Sequence, residues 1–259
     1  PARKRLAYDE LLANQLALAL IRAKMRKLGG RVTKGDGGLR DALANHPPFA
    51  MTGAQQRALT DIYADMASEG RMLRLLQGDV GSGKTVVALM AMLNAVECGR
   101  QAALMAPTEI LARQHFETIA PLLEKIGVSC AILTGRDKGK SRKESLEGFA
   151  SGEVQIAVGT HALFQDDVVF RDLAFAVVDE QHRFGVHQRL MLAGKGQAVD
   201  VLVMTATPIP RTLTLTAFGD MEVSRLDEKP PGRKPGDTRV LPIDKVDDVV
   251  SGIGRAITT

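Results

Sequence analysis

The sequence predicts an α/β fold, a mainly parallel β-sheet covered by helices on both faces, and three observations predict it. From residue 72 onward, short apolar runs alternate with stretches of helical character: MLRLLQ (72–77), AALMA (102–106), CAIL (130–133), VQIAV (154–158), AFAVV (174–178) and VLVM (201–204). These runs are nearly continuous rather than alternating, the pattern of strands buried on both faces of a parallel sheet. A glycine-rich stretch also separates the first run from an apolar helical segment, as in sheets that bind ligands at the carboxyl ends of their strands.

Taken in order, residues 6–28 predict a helix, with Leu11, Leu18, Ile21, Met25 and Leu28 at three-, four- or seven-residue spacings and Gly29-Gly30 ending the pattern. Gly29–Gly38 holds five glycines and reads as a flexible link. After Pro47-Pro48 a second helix is expected from an N-cap at Thr52 to Gly70, and a third over 84–97. KPPGRKPGD (229–237) marks a boundary, beyond which RVLPI (239–243) reads as another strand followed by a short helix. This divides the chain into a helical linker (1–45), a compact α/β domain (46–228), and a link into the start of a second domain (229–259). The last residues are too few for a domain of their own, so the chain reads as a piece cut from a longer protein.

Bulk composition narrows the class. The 259 residues are 45% hydrophobic and 25% charged, ordinary for a globular protein, and only 4% aromatic with no Trp, which argues against a stacking platform for bases. The net charge is +4, yet residues 1–50 hold ten Lys/Arg against four Asp/Glu, so the rest of the chain is net negative. Cys98 and Cys130 have neither metal-ligand nor disulfide-framework spacing, which favours a reducing, cytoplasmic location. The basic start followed by LLANQLALALI mimics a secretion signal, but Arg22 stands where a small-residue cleavage site is needed. No apolar run is long enough to span a bilayer.

The chemistry is concentrated in two places. Gly78-Asp79-Val80-Gly81-Ser82-Gly83-Lys84-Thr85 fits G-x-x-x-x-G-K-T between a strand and a helix. Its glycines let backbone N–H groups curl around phosphate oxygens, Lys84 reaches the β- and γ-phosphates, and the Thr85 hydroxyl ligates Mg²⁺. ATP and Mg²⁺ are therefore the expected cofactors. AFAVVDEQH places Asp179 and Glu180 at the end of a buried strand. Adjacent carboxylates there are costly unless they serve a cation or a proton transfer, which suits Asp179 to holding Mg²⁺ through water and Glu180 to polarising the attacking water.

Further segments carry a family resemblance. Asp179-Glu180-Gln181-His182 resembles the DExH box of superfamily 2 helicases, and Thr205-Ala206-Thr207-Pro208 resembles their motif III. Ala106-Pro107-Thr108-Glu109 and Gly159-Thr160-His161 resemble motifs Ia and Ic. PFAMTGAQQRAL, LLQGDVGSGKTVVA, MAPTEILARQH, GTHALFQ, VVDEQHRFGVHQR and MTATPIPRTL together resemble the RecG family of bacterial DNA helicases, from about Pro47 to Arg233.

The resemblance implies a RecA-like P-loop domain that couples ATP hydrolysis to remodelling of branched DNA, such as stalled forks and Holliday junctions, as a monomer. It implies that Gln55 reads adenine with Phe49 nearby, and that Lys84, Asp179 and Glu180 are catalytic. Pro107, Thr108, Gly159, Thr160 and His161 would touch DNA, while His182, Thr205 and Thr207 would relay nucleotide state. The wedge domain and second motor domain of such helicases are not in this chain. With the facing arginines missing and Arg211 on the wrong side, the chain alone is expected to bind MgATP and hydrolyse it very slowly.

RDKGKSRK (136–143) has five basic residues in eight and follows a strand end. Gly135, Arg136, Lys138 and Lys140 are therefore candidate DNA phosphate contacts, with Arg142 and Lys143 beside them, against the plainer reading of a solvated loop. Gln55 and Phe49 can equally close a helix N-terminus, and His182 and Thr205 can be hydrogen bonders at the core edge. His46, His115 and His187 receive no role. A transcription-repair coupling translocase has a similar motor and is the nearest alternative. A transport ATPase would need an LSGGQ-like signature, which is absent. A module that only binds nucleotide or DNA is the remaining one.

Overall fold

The computed structural model describes residues 5, 8–9, 12–13, 16, 29–45, 50–179, 196, 198–206, 221–228 and 241–257, with backbone alone at 244, 256 and 257. Helix α1 (Gly38–Ala44) and α2 (Gly53–Met66) precede β1 (Leu73–Gly78), α3 (Lys84–Glu97), β2 (Gln101–Met105) and α4 (Glu109–Lys125). Then follow β3 (Cys130–Leu133), α5 (Gly139–Ser151), β4 (Ile156–Gly159), β5 (Leu173–Asp179), β6 (Asp200–Thr205), β7 (Glu222–Leu226) and α6 (Val246–Ile257). The strands form one seven-stranded sheet in the order β3-β4-β2-β5-β6-β1-β7. Every pairing between these seven strands is parallel.

The near-continuous apolar runs are explained by two cores, one on each face. Leu76, Ala102, Leu104, Phe175, Val177, Leu202 and Met204 pack with α2, α3 and α4. Their immediate neighbours Leu75, Ala103, Met105, Ala176, Val178, Val201 and Val203 pack on the other face with Phe149, Leu163 and Phe170. Alternate side chains thus enter opposite cores, so no position in these strands needs to be polar.

Local signals match the elements closely. Thr52 caps α2 in a capping box: its side chain accepts from the Gln55 N–H, and the Gln55 side chain accepts from the Thr52 N–H. Helix α3 spans the expected 84–97 and α2 stops at Met66, short of Gly70. Strand β7 escapes a search for continuous apolar runs because it is half exposed and carries Glu222 and Arg225.

Two expectations fail. The glycine-rich link is not loose: Gly29 bridges Gly70, the Arg31 guanidinium grips both oxygens of Asp172 at 2.5 and 2.9 Å, and Asn94 bonds Thr33 and Gly35. Glu97, at the end of α3, accepts from the backbone N–H groups of Gly37 and Arg40 and from Arg40 Nε. A side chain at Gly35 would run into Glu97, so glycine there serves close approach rather than freedom. The strand expected at 239–243 is also absent where described: Leu241 and Pro242 are irregular, and Ile243–Lys245 forms a 3₁₀ turn leading into α6. Proline has no N–H to give a ladder, and α6 follows at once.

Of the helix expected over 6–28, the described residues Tyr8, Asp9, Leu12, Ala13 and Leu16 are helical. No helix among the described residues is long and apolar enough to cross a membrane.

Candidate nucleotide and nucleic-acid site

Strand β1 ends at Gly78, and the loop from Asp79 to Gly83 turns directly into α3. Gly81 and Gly83 hold φ of 78° and 87°, and Gly83 is the left-handed N-cap of the helix. This geometry turns the start of the helix toward the loop's hollow, where the helix dipole favours an anion. No acidic residue stands in that first turn to oppose one. Lys84 Nζ donates to the carbonyls of Gly78 (2.6 Å) and Asp79 (3.1 Å), holding its charge over the loop. Ser82 Oγ is buried and finds no hydrogen-bond partner among the described residues. An orphaned hydroxyl inside a cationic, amide-rich cradle fits a phosphate.

Gln55 lies against this loop. Its Oε1 accepts from the Thr52 N–H at 3.0 Å and its Nε2 donates to the Ser82 carbonyl at 2.8 Å. Both ends of a buried amide are thereby satisfied within the protein, so in this geometry Gln55 ties α2 to the phosphate loop. That is the helix-closing role; Oε1 keeps a second lone pair and Nε2 a second N–H, the sites that the adenine contact implied by the resemblance would use. Phe49, the suggested companion, lies outside the described residues.

Asp179 is the last residue of β5 and is 7% exposed. It continues the Phe175, Val177 parity and so points to the α4 face, where its Oδ2 meets His115 Nε2 at 2.7 Å. An ionised carboxylate only accepts, so this nitrogen carries the proton. Sequence reasoning assigned His115 nothing. The signal was its place in α4: it falls between Ala112 and Ile119 on the stripe that also carries Leu123, the helix's buried face. A histidine on an apolar stripe needs a partner. Glu180, His182, Thr207 and Arg211 lie outside the described residues, while Thr205 closes β6 and is buried beside the loop-bearing strand, in register with Gln77.

Among the described residues no group of three or more His, Cys, Asp or Glu could cage a metal. Thr85, at the start of α3, and Asp179 are the expected Mg²⁺ holders. Such a sparse set suits Mg²⁺, which keeps waters and takes oxygens from substrate phosphates.

The candidate DNA residues gather at the carboxyl ends of β2, β3 and β4, three neighbouring strands at one side of the sheet. Pro107 and Thr108 follow β2, and the Thr108 hydroxyl caps α4 by accepting from the Leu111 N–H. Gly135 and Arg136 follow β3, with Arg136 paired to Glu109 at 3.2 Å. Gly159 ends β4, and the Thr160 hydroxyl caps the 3₁₀ turn His161–Phe164.

The basic run is not a loop throughout. Lys138 is the N-cap of α5, and Lys140, Arg142 and Lys143 lie in its first turns. Arg142 is spent on Asp167 at 2.7 Å, whereas Lys140 and Lys143 are exposed with only loose pairs to Glu144 and Glu147 at 3.7 Å. Gly139 is the first residue of the helix.

The same residues bring known proteins to mind by measurement. The DEAD/DEAH box helicase family model matches residues 52–216. The ATP-dependent DNA helicase RecG of Bacillus subtilis is 49% identical over 264 residues, and that of Escherichia coli K12 46% over 263. The chain spans 38% of the length of each of these relatives. A solved structure of RecG bound to a three-way DNA junction superimposes with a TM-score of 0.87 at 44% identity, over 99% of this chain and 35% of that one. The DEAD-box helicase Mss116, at 16% identity and a TM-score of 0.60, shares the fold. With a family model that covers more than half of its length, this chain belongs to the DEAD/DEAH box helicase family.

Proposed function

We propose that the chain is the nucleotide-binding motor domain of a RecG-type, ATP-dependent DNA helicase that acts on branched DNA in the bacterial cytoplasm. The observation that carries this is the shared carboxyl edge of the sheet. It places the phosphate cradle at β1, Asp179 at β5 and the DNA-contact candidates at β2, β3 and β4. High identity to RecG helicases, one of them solved on a three-way junction, supports the substrate class.

In this reading the amides of the loop and of the first turn of α3 bind the phosphates, and Lys84 shifts its ammonium from its own loop's carbonyls to the γ-phosphate oxygens. Thr85 and Asp179 would hold Mg²⁺, which when bound neutralises charge on the β- and γ-phosphates. Glu180, next in the chain to Asp179, orients the attacking water. Catalysis here is positioning and charge stabilisation, because phosphoryl transfer demands little covalent chemistry of the protein. On the other half of the edge, exposed Lys138 and Lys140 engage backbone phosphate.

Lys84→Ala tests the site. The substitution removes a loop cation and little core, so thermal melting should be unchanged while MgATP affinity in a titration falls at least tenfold. Undiminished affinity would remove the phosphate-loop assignment.

A further inference from the structure

We propose that His115 is a positioning residue for Asp179: by donating from Nε2 it fixes the carboxylate's orientation and leaves its second oxygen to face the nucleotide's metal. The proposal rests on the nucleotide site described above and deepens it.

Three features of the site lead there. The contact is short, 2.7 Å, between side chains that are 13% and 10% exposed, so neither group can exchange this partner for bulk water. His115 also occupies the buried stripe of α4, between Ala112 and Ile119, where an apolar residue would pack without a polar group to satisfy. A histidine in that place costs desolvation, and among the described residues the bond to Asp179 is what offsets it. Finally, Asp179 accepts from His115 through Oδ2, and Oδ1 has no hydrogen bond among the described residues. A carboxylate at a strand end otherwise has two equivalent rotamer-related oxygens, and a hydrogen bond to one of them removes that degeneracy.

The topology gives the contact a further meaning. Helix α4 is capped by Thr108, one of the DNA-contact candidates, and His115 lies two turns along it. β2, which feeds α4, pairs directly with β5, which carries Asp179. The His115–Asp179 bond is thus the point where the helix leaving the DNA half of the sheet edge grips the carboxylate of the nucleotide half. Groups that hold a metal-binding side chain from behind typically change metal affinity by about 10–100-fold when removed.

The test uses this chain with a fluorescent ADP analogue, titrated first without metal and then with MgCl₂. His115→Ala should bind the metal-free nucleotide within about twofold of the parent but need about tenfold or more Mg²⁺ to reach the same enhancement. His115→Gln places an amide N–H near the Nε2 position and should restore the parental Mg²⁺ midpoint, whereas His115→Asn, which reaches only as far as Nδ1, should not. A parental midpoint in His115→Ala, or an equal shift in the Gln and Asn variants, overturns the proposal. If His115→Ala melts far below the parent, the Gln and Asn pair alone decides. Lys84→Ala run alongside separates the two readings: if it still binds the nucleotide the site itself is misassigned, and if it does not, a flat His115 result sinks the positioning role only.

Discussion

Gly83 and Gln55 are coupled in a way that a double-mutant cycle can measure. Gly83 holds φ at 87°, and a methyl placed on it would overlap Nε2 of Gln55. Gly83→Ala therefore carries two costs. The left-handed backbone adds about 1–2 kcal/mol for any residue with a Cβ. Expelling the Gln55 amide breaks its 2.8 Å bond to the Ser82 carbonyl and strands buried polar groups, roughly another 1–3 kcal/mol. The single substitution should thus cost about 2–5 kcal/mol, a large part of an ordinary domain's stability. Gln55→Ala alone loses the capping box and the tie to the loop, at about 1–2 kcal/mol. In the double variant the obstacle is gone, so Gly83→Ala should then cost only its backbone part. Urea denaturation of all four proteins, read at constant m, gives the coupling. A coupling of about 1–3 kcal/mol is expected. Costs that simply add would falsify the claim that the two residues occupy one another's space.

Two further outcomes follow from charges placed by the fold. Asp200 is buried at the start of β6, and burial, opposed by the Met72 N–H and by Arg71, pushes its carboxyl up to about 7. The folded chain then holds a proton that the unfolded chain releases above the ordinary carboxylate value of 3.8. This contribution therefore weakens as pH rises from about 4 to about 7 and is level above that, a loss of roughly 4 kcal/mol at most. Asp200→Asn keeps an acceptor for the Met72 N–H, so its denaturation midpoints should be flatter across that range; an unchanged pH slope would show that another group is responsible. In the basic run, neutralising Lys138 and Lys140 should make the salt dependence of DNA binding shallower by about 0.9 per lost phosphate contact, while Arg142→Ala, which breaks a pair with Asp167, should leave the slope alone. Equal effects from all three would mean that the helix contributes only a diffuse field.

The fold was legible because burial on both faces removes polar residues from a strand, and six runs of that kind stand out from 72 to 204. β7 was illegible for the same reason turned round: an edge strand with Glu222 and Arg225 facing outward has no such run. The glycines of 29–38 were misread because composition cannot separate a glycine that permits motion from one that permits contact. At Gly35 the deciding fact is Glu97, 62 positions away in the chain and pressed against it. The strand, turn and helix around Gly78–Thr85 were legible because the pattern is local: eight consecutive positions carry the glycines of the turn, the cation and the hydroxyls. His115 was not, because its partner lies 64 positions further on and is met only when β2 and β5 pair.

Gln55 shows why resemblance and geometry answer different questions. A motif match attaches a ligand to a residue type, here an amide that reads a base through one donor and one acceptor. The structure gives one lone pair of Oε1 to the Thr52 N–H and one hydrogen of Nε2 to the Ser82 carbonyl. The second lone pair and the second N–H are what a base would be read through, with both existing bonds kept. The base would then be sensed by a residue already fastened at both ends, to the cap of α2 and to the loop that turns into α3. Recognition of the base and the set of the loop would share one side chain.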